Sequence, residues 1–166
     1  MKKIAAFVLM MLGALTFLRA GRFEVGLSGG FFSSKSNSSA VLGISPGFRI
    51  WKVVSLETEF FYYPSALDVG SLSDFGLALL IGPSPWESRK TAPYLALGVD
   101  LFREHTAVES NLEGPFLAVG GGLKYRLSAG ASLCFDGRYF IQLLESEYPS
   151  FIINSLRLTA GVSFRL

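Results

Sequence analysis

The last eleven residues, 156–166, read Leu-Arg-Leu-Thr-Ala-Gly-Val-Ser-Phe-Arg-Leu. Every second residue is apolar, and the residues between them are charged, hydroxylated or glycine. Successive side chains on a β-strand point to opposite sides, so an alternation with a period of two indicates a strand whose faces meet different surroundings. This stretch therefore predicts a strand with one apolar face and one polar face.

The same alternation recurs along the whole chain and gives eight runs in all. A run of about ten residues is long enough to cross a bilayer as a tilted strand. Eight such runs predict an all-β fold, a closed eight-stranded antiparallel up-and-down transmembrane β-barrel. The runs lie at residues 22–32, 42–50, 54–63, 74–81, 93–102, 117–125, 132–141 and 156–166.

Charged residues are confined to one face of these strands. The chain is 50% hydrophobic and 17% charged, yet no charge falls on the apolar face in this register. That contrast is typical of a membrane barrel, which turns apolar side chains to lipid and polar side chains inward. A soluble lipocalin-like barrel, the alternative, requires the reverse arrangement.

The polar face predicts a charged interior. An eight-stranded barrel is only wide enough for its own side chains, so interior charges must form ion pairs or be solvated by trapped water. We expect about six acids and six bases in a network that plugs the lumen, with Arg165 near Glu24 across the barrel closure. A narrow channel lined by the same residues is the alternative. The set comprises Arg22, Glu24, Arg49, Glu57, Glu59, Asp74, Asp100, Lys124, Asp136, Arg138, Arg157 and Arg165.

Aromatic residues near the strand ends predict contacts with the two membrane interfaces, where such rings prefer to lie. Trp51 and Trp86 fall in connections that follow even-numbered strands, whereas Tyr62 and Tyr139 lie near the opposite ends. Connections after odd-numbered strands are on average longer, as expected of outside loops, and they carry an excess of acidic residues. Further rings near those ends are Phe31, Tyr63, Phe75, Phe116 and Phe151.

The N-terminus has the form of a secretory signal peptide. Lys2 and Lys3 precede an apolar run over residues 4–18, and Ala20 is the expected residue before cleavage. We expect residues 1–20 to be the signal peptide and 21–166 the barrel domain, with an uncleaved anchor as the alternative. Cleavage also removes Arg19, which leaves 12 basic and 13 acidic residues. A net charge near −1 gives no basic surface for nucleic acid.

Over residues 21–166 the chain resembles the eight-stranded outer-membrane barrels of the OmpX and OmpA-transmembrane-domain type. Its C-terminus is similar to their β-signal, with Gly161 two residues after a polar one, Phe164 third from the end and Leu166 where many members have phenylalanine. The resemblance implies a place in the bacterial outer membrane, contacts with its lipid and lipopolysaccharide, and assembly by the barrel assembly machinery. It also implies a role in envelope structure or in binding an unidentified surface ligand.

The chain offers few residues for chemistry. With one cysteine, Cys134, and one histidine, it has no disulfide framework and no Cys/His zinc site, and we expect no cofactor or metal. Cys134 falls on the inward face, where it suits the packing of a small residue.

His105 is the candidate catalytic residue. Some small barrels of this kind are lipid A-modifying enzymes, and a deacylase of that group carries a serine two positions from its histidine, where this chain has Ala107. Nucleophilic hydrolysis needs a hydroxyl and a base within hydrogen-bond reach. We expect a protein that is not an enzyme, with a deacylase-like activity centred on His105 as the alternative. Its possible partners in the predicted outer loop are Ser110, Thr106, Glu104 and Glu109.

Overall fold

In a computed structural model of the chain, the structure describes residues 23–34, 37–67, 70–86, 90–106, 112–143, 152 and 154–166. None of these residues belongs to a helix that is long and apolar enough to cross a membrane. The strands are β1 (Phe23–Ser33), β2 (Ser38–Trp51), β3 (Val54–Leu67), β4 (Gly70–Ile81), β5 (Thr91–Thr106), β6 (Leu112–Arg126), β7 (Ala131–Gln142) and β8 (Ser155–Arg165).

The eight strands form one closed barrel in sequence order, and every neighbouring pair is antiparallel. The barrel closes between β1 and β8, where Glu24 lies opposite Arg165 in the strand register. The predicted fold and strand order are confirmed. The expected signal peptide, residues 1–20, and Arg22 lie outside the described residues.

The apolar face of every strand points outward, as the alternation predicts. Leu95 and Leu42, for example, are 70% and 63% exposed on the outer wall. An exposed apolar band around a whole barrel is the opposite of what a soluble barrel presents to water. One exposed apolar side chain from each strand, in order, is Leu27, Leu42, Phe60, Leu77, Leu95, Val119, Phe135 and Leu158.

The strands are longer than the sequence predicted, and the expected difference in connection length is largely lost. β5, for instance, continues to Thr106 through residues that were expected to form a loop. Connections after odd-numbered strands span 34–37, 68–69, 107–111 and 143–154, against 52–53, 82–90 and 127–130 after even-numbered strands. We call the end of the barrel with the connections after odd-numbered strands the loop end. The opposite end, where β1 begins and β8 ends, is the terminal end.

Candidate functional site

Six aromatic side chains fill the lumen near the loop end. None is more than 6% exposed, and they pack on one another through ring contacts. The Phe102 ring lies edge-on to Phe116 and Phe140, with centroids 5.4 and 5.2 Å apart, an arrangement that aromatic pairs favour. We call this set the aromatic plug; it consists of Phe32, Phe61, Tyr63, Phe102, Phe116 and Phe140.

The aromatic plug corrects two expectations from the sequence. The interior is not polar throughout, and Tyr63 and Phe116 lie inside the barrel, with essentially no exposed surface, instead of at a membrane interface. The signal was present in the alternation, because Phe61, Tyr63 and Phe102 fall on the face that also carries the charges. What the alternation does not show is that rings from five different strands meet at one level.

A layer of buried ion pairs lies directly below the aromatic plug. Arg157 is 1% exposed; its Nη1 lies 2.8 Å from Asp74 Oδ2, and its Nη2 contacts Glu59. Arg138 bridges Glu59 Oε1 at 2.8 Å and Asp136 Oδ1 at 2.7 Å. We call these five residues the ion layer. Each arginine therefore holds two carboxylates.

The ion layer and the aromatic plug are joined by direct contacts. The Arg157 guanidinium lies 3.8 Å from the Phe61 ring centroid, a cation–π distance. The Tyr63 hydroxyl donates a hydrogen bond of 2.6 Å to Asp74 Oδ2. Asp74 Oδ1, Arg138 Nη1 and Arg157 Nε are buried without a hydrogen-bond partner among the described residues, so the network is held by its ion pairs. Displacing any of its members would leave a buried charge without its ion-pair partner.

A second charged group lies nearer the terminal end. Lys124 Nζ bridges Glu24 Oε2 at 3.0 Å and Glu57 Oε1 at 2.8 Å, and all three side chains are nearly buried. Glu24 Oε1 also accepts a hydrogen bond of 2.6 Å from Trp86 Nε1. Arg165 lies opposite Glu24 in the strand register but is exposed, and Glu24 forms an ion pair with Lys124.

Residues 82–86, which follow β4, cover the terminal end of the lumen. Ser84 and Pro85 are buried, and the Trp86 indole is directed toward Glu24. Trp86 therefore differs from the interfacial position expected of it: its polar N–H is bonded inside the barrel. This inward fold gives residues 82–86 a packing role at the terminal end.

The remaining expected lumen residues are not evenly balanced. Arg49 is half-buried and donates to the Lys52 carbonyl, while Asp100 is only 2% exposed. Among the described residues, five acids and three bases are buried, and the half-buried Asp136 and Arg49 also line the lumen, so acids outnumber bases there by six to four instead of the expected six to six. Each of the three buried bases, Lys124, Arg138 and Arg157, forms ion pairs with two acids. The buried charged residues are Glu24, Glu57, Glu59, Asp74, Asp100, Lys124, Arg138 and Arg157.

Five of the expected interfacial rings lie on the outer wall, namely Phe31, Trp51, Tyr62, Phe75 and Tyr139. Trp51 is 72% exposed at the terminal end. Tyr62 and Tyr139 are 47% and 41% exposed near the loop end, where the Tyr139 hydroxyl donates to Asn154 Oδ1 at 2.9 Å. The exposed rings of Trp51, Tyr62 and Tyr139 lie at both ends of the apolar band, the levels at which aromatic side chains of membrane proteins contact lipid headgroups.

Little open space remains inside the barrel. A cavity of about 40 Å³ lies between the two charged groups, lined by side chains that include Tyr94, Lys124 and Cys134. That volume holds only a few water molecules. Among the residues that the structure describes, no cluster of His, Cys, Asp or Glu side chains is arranged to hold a metal ion.

His105 lies on β5 and not in a loop. Its Nε2 is 3.0 Å from Ser73 Oγ on the neighbouring strand β4, and both side chains are on the outward face. Glu104 precedes His105 on the same strand and therefore points to the opposite face. The sequence did not identify Ser73 as the partner, because it comes from a strand more than thirty residues earlier. Ser110 and Glu109 lie outside the described residues.

Gly161 of the C-terminal motif lies where the barrel closes. A Cβ atom at this position would come within 2.2 Å of the Leu27 carbonyl oxygen and 2.7 Å of Ser28 Cα, so β8 approaches β1 too closely for any side chain. Phe164 and Leu166 are 43% and 57% exposed on the outer wall.

No family model and no curated protein matches the sequence. Among solved structures, the N-terminal β-barrel domain of Pseudomonas aeruginosa OprF is similar, with a TM-score of 0.64 and 16% identity over 88% of this chain and 98% of that one. Neisserial surface protein A gives 0.62 and 17% over 88% and 97%. Ail, the attachment invasion locus protein of Yersinia pestis, gives 0.52 and 10% over 87% and 97%. The protein therefore has the fold of the eight-stranded outer-membrane β-barrels.

Proposed function

We propose that the protein is an integral protein of the bacterial outer membrane that acts in envelope structure or in surface interaction through its loop end. The observation that carries this proposal is the pairing of a continuous outward apolar band with a lumen closed by buried ion pairs. The outer wall of such a barrel is apolar, like the lipid chains around it. The connections between strands are then the surface that partners can reach.

The filled lumen argues against the channel alternative. The aromatic plug occupies the loop end, the ion layer lies below it, and Ser84 and Pro85 cover the terminal end. A solute would have to displace packed rings and separate buried ion pairs in order to pass. Structure or interaction is therefore the better-supported class of function.

The proposed partners follow from this placement. Lipid and lipopolysaccharide surround the outer wall, and the barrel assembly machinery would recognise the C-terminal strand with Gly161, Phe164 and Leu166. A surface ligand would bind at the loop end. Two similar structures are named as a surface protein and as an attachment invasion locus protein, names that support a surface role.

The experiment that tests the proposal combines membrane fractionation with gel mobility before and after boiling. We expect the expressed chain in the outer-membrane fraction, with a folded band that shifts on heating, and no discrete conductance in planar bilayers, where a porin serves as the positive control. Protein that stays monomeric in buffer without detergent would overturn the membrane assignment. Discrete conductance steps would overturn the plugged lumen in favour of the channel.

A lipid-modifying enzyme is the second candidate, and one observation favours it. A serine hydroxyl within hydrogen-bond reach of a histidine nitrogen is the pairing that activates a nucleophile, and Ser73 and His105 have it. Both lie on the outer wall near the loop end, where lipid headgroups would be accessible. Glu104 cannot orient the His105 imidazole for catalysis, because its side chain is on the opposite face of β5.

Replacement of the pair separates the two candidates. If the pair is catalytic, His105→Ala and Ser73→Ala each abolish any change in lipid A acylation that the wild-type protein produces on expression, as measured by mass spectrometry of extracted lipid A. Ser71→Ala, on the neighbouring outward position of β4, is the matched control. We expect no acylation change with wild type or variants; a wild-type change lost only in the Ser73 and His105 variants would establish the enzyme.

A further inference from the structure

A crevice of about 720 Å³ lies on the outer wall across β2, β3, β4 and β5. Its volume is within the range of about 300–1,000 Å³ that ligand pockets occupy. It opens on the apolar band, and Phe61 of the aromatic plug and Asp74 of the ion layer also border it. Its outward lining side chains fall into two rows that follow the strand register.

The row nearer the middle of the barrel is apolar. Ile44 lies opposite Phe60, Phe60 opposite Phe75, and Phe75 opposite Leu101. The Phe60 and Phe75 rings pack with their centroids 4.9 Å apart. This row presents hydrocarbon and aromatic surface without a charge, which suits an acyl chain.

The row nearer the loop end carries polar groups. Leu42 is opposite Tyr62, Tyr62 opposite Ser73, and Ser73 opposite Arg103. Ser73 is also hydrogen-bonded to His105, one outward position further along β5. The row therefore combines a guanidinium with hydroxyl groups and an imidazole. An arginine fork matches the oxygen geometry of phosphate, so this row is complementary to a phosphate headgroup.

We propose that this crevice binds the phosphorylated, acylated anchor of lipopolysaccharide, with an acyl chain along the apolar row and a phosphate at Arg103. The inference rests on the proposed outer-membrane location, which places the loop end in the outer leaflet. The polar row spans four neighbouring strands, about 14 Å at the usual spacing. That width fits an anchor with several acyl chains better than the single headgroup of a glycerophospholipid.

The test is lipid retention by folded protein in non-ionic detergent, measured by native mass spectrometry. Protein is mixed with equal amounts of bisphosphorylated lipid A, the same lipid after removal of its phosphates, and phosphatidylglycerol. We expect lipid A to be retained at least tenfold over its dephosphorylated form. Arg103→Gln should lower this preference about tenfold, since hydrogen bonds to charged groups contribute strongly.

Three further variants keep the test specific. Lys90→Gln removes an exposed cation at the terminal end and should leave retention unchanged. Ile44→Trp should reduce retention by filling the apolar row, whereas Leu158→Trp, on the far side of the barrel, should not. The heat-dependent gel shift shows that each variant is folded.

The possible outcomes distinguish a failure of the proposed crevice site from a failure of the proposed membrane location. Equal retention of lipid A with and without phosphate, or an Arg103→Gln variant that behaves like wild type, overturns the site. Preferred retention of phosphatidylglycerol overturns lipopolysaccharide as the occupant. Absence of a heat-shifted folded band in the wild-type protein instead contradicts the proposed membrane barrel itself.

Discussion

Arg157→Met is expected to lower the free energy of unfolding by about 3–5 kcal/mol, the usual cost of removing one partner from a buried ion pair. The substitution keeps an unbranched side chain but leaves Asp74 and Glu59 without one of their cationic partners. It also removes the guanidinium from the Phe61 ring. The measurement is urea unfolding in phospholipid vesicles, followed by the gel shift between folded and unfolded bands.

Two control variants make this prediction specific to burial. Arg165→Met changes the same residue type on the same face of β8, but Arg165 is exposed, so we expect a loss below about 1 kcal/mol. The double variant Arg157→Met with Asp74→Asn should recover part of the loss, because the carboxylate charge is removed with its partner. Equal losses for the two arginine variants would mean that the ion layer contributes nothing beyond surface charge.

Phe102→Ala is expected to lower the free energy of unfolding by about 3–5 kcal/mol, the range for removing a buried phenylalanine ring. Phe102 is the centre of the aromatic plug, with ring contacts to Phe32, Tyr63, Phe116 and Phe140. Because the surrounding rings are held by four other strands, the barrel cannot readily collapse to fill the cavity. The same urea unfolding in vesicles measures the effect.

The matched control for Phe102 is Phe135→Ala on the outer wall. Phe135 is 50% exposed, so lipid chains can occupy the space that its ring leaves and no cavity forms. We expect a clearly smaller loss of stability for this variant. If Phe135→Ala costs as much as Phe102→Ala, ring packing in the lumen is not what stabilises the loop end.

The outward or inward facing of each strand could be predicted from the alternation alone. The contacts between side chains of different strands could not, as particular residues show. Glu59 and Arg157 were correctly assigned to the interior, yet nothing in the sequence shows that they contact each other from β3 and β8. Trp86 was expected at an interface because aromatic rings near strand ends prefer that level, but its indole N–H is bonded to Glu24. His105 was expected in a loop because the polar residues around it masked the continuation of β5.

The sequence by itself determined the number of strands, their antiparallel order and which side of each strand faces outward. The number of strands and the facing of each follow from local alternation, since a one-residue change of register would turn every apolar side chain to the other face. Only the tertiary structure decided the separation of the lumen into an aromatic plug and two charged groups, the pairing of Ser73 with His105, and the outer-wall crevice. Each depends on the height at which side chains from different strands meet, which is set by the stagger of the closed barrel and not by any one segment.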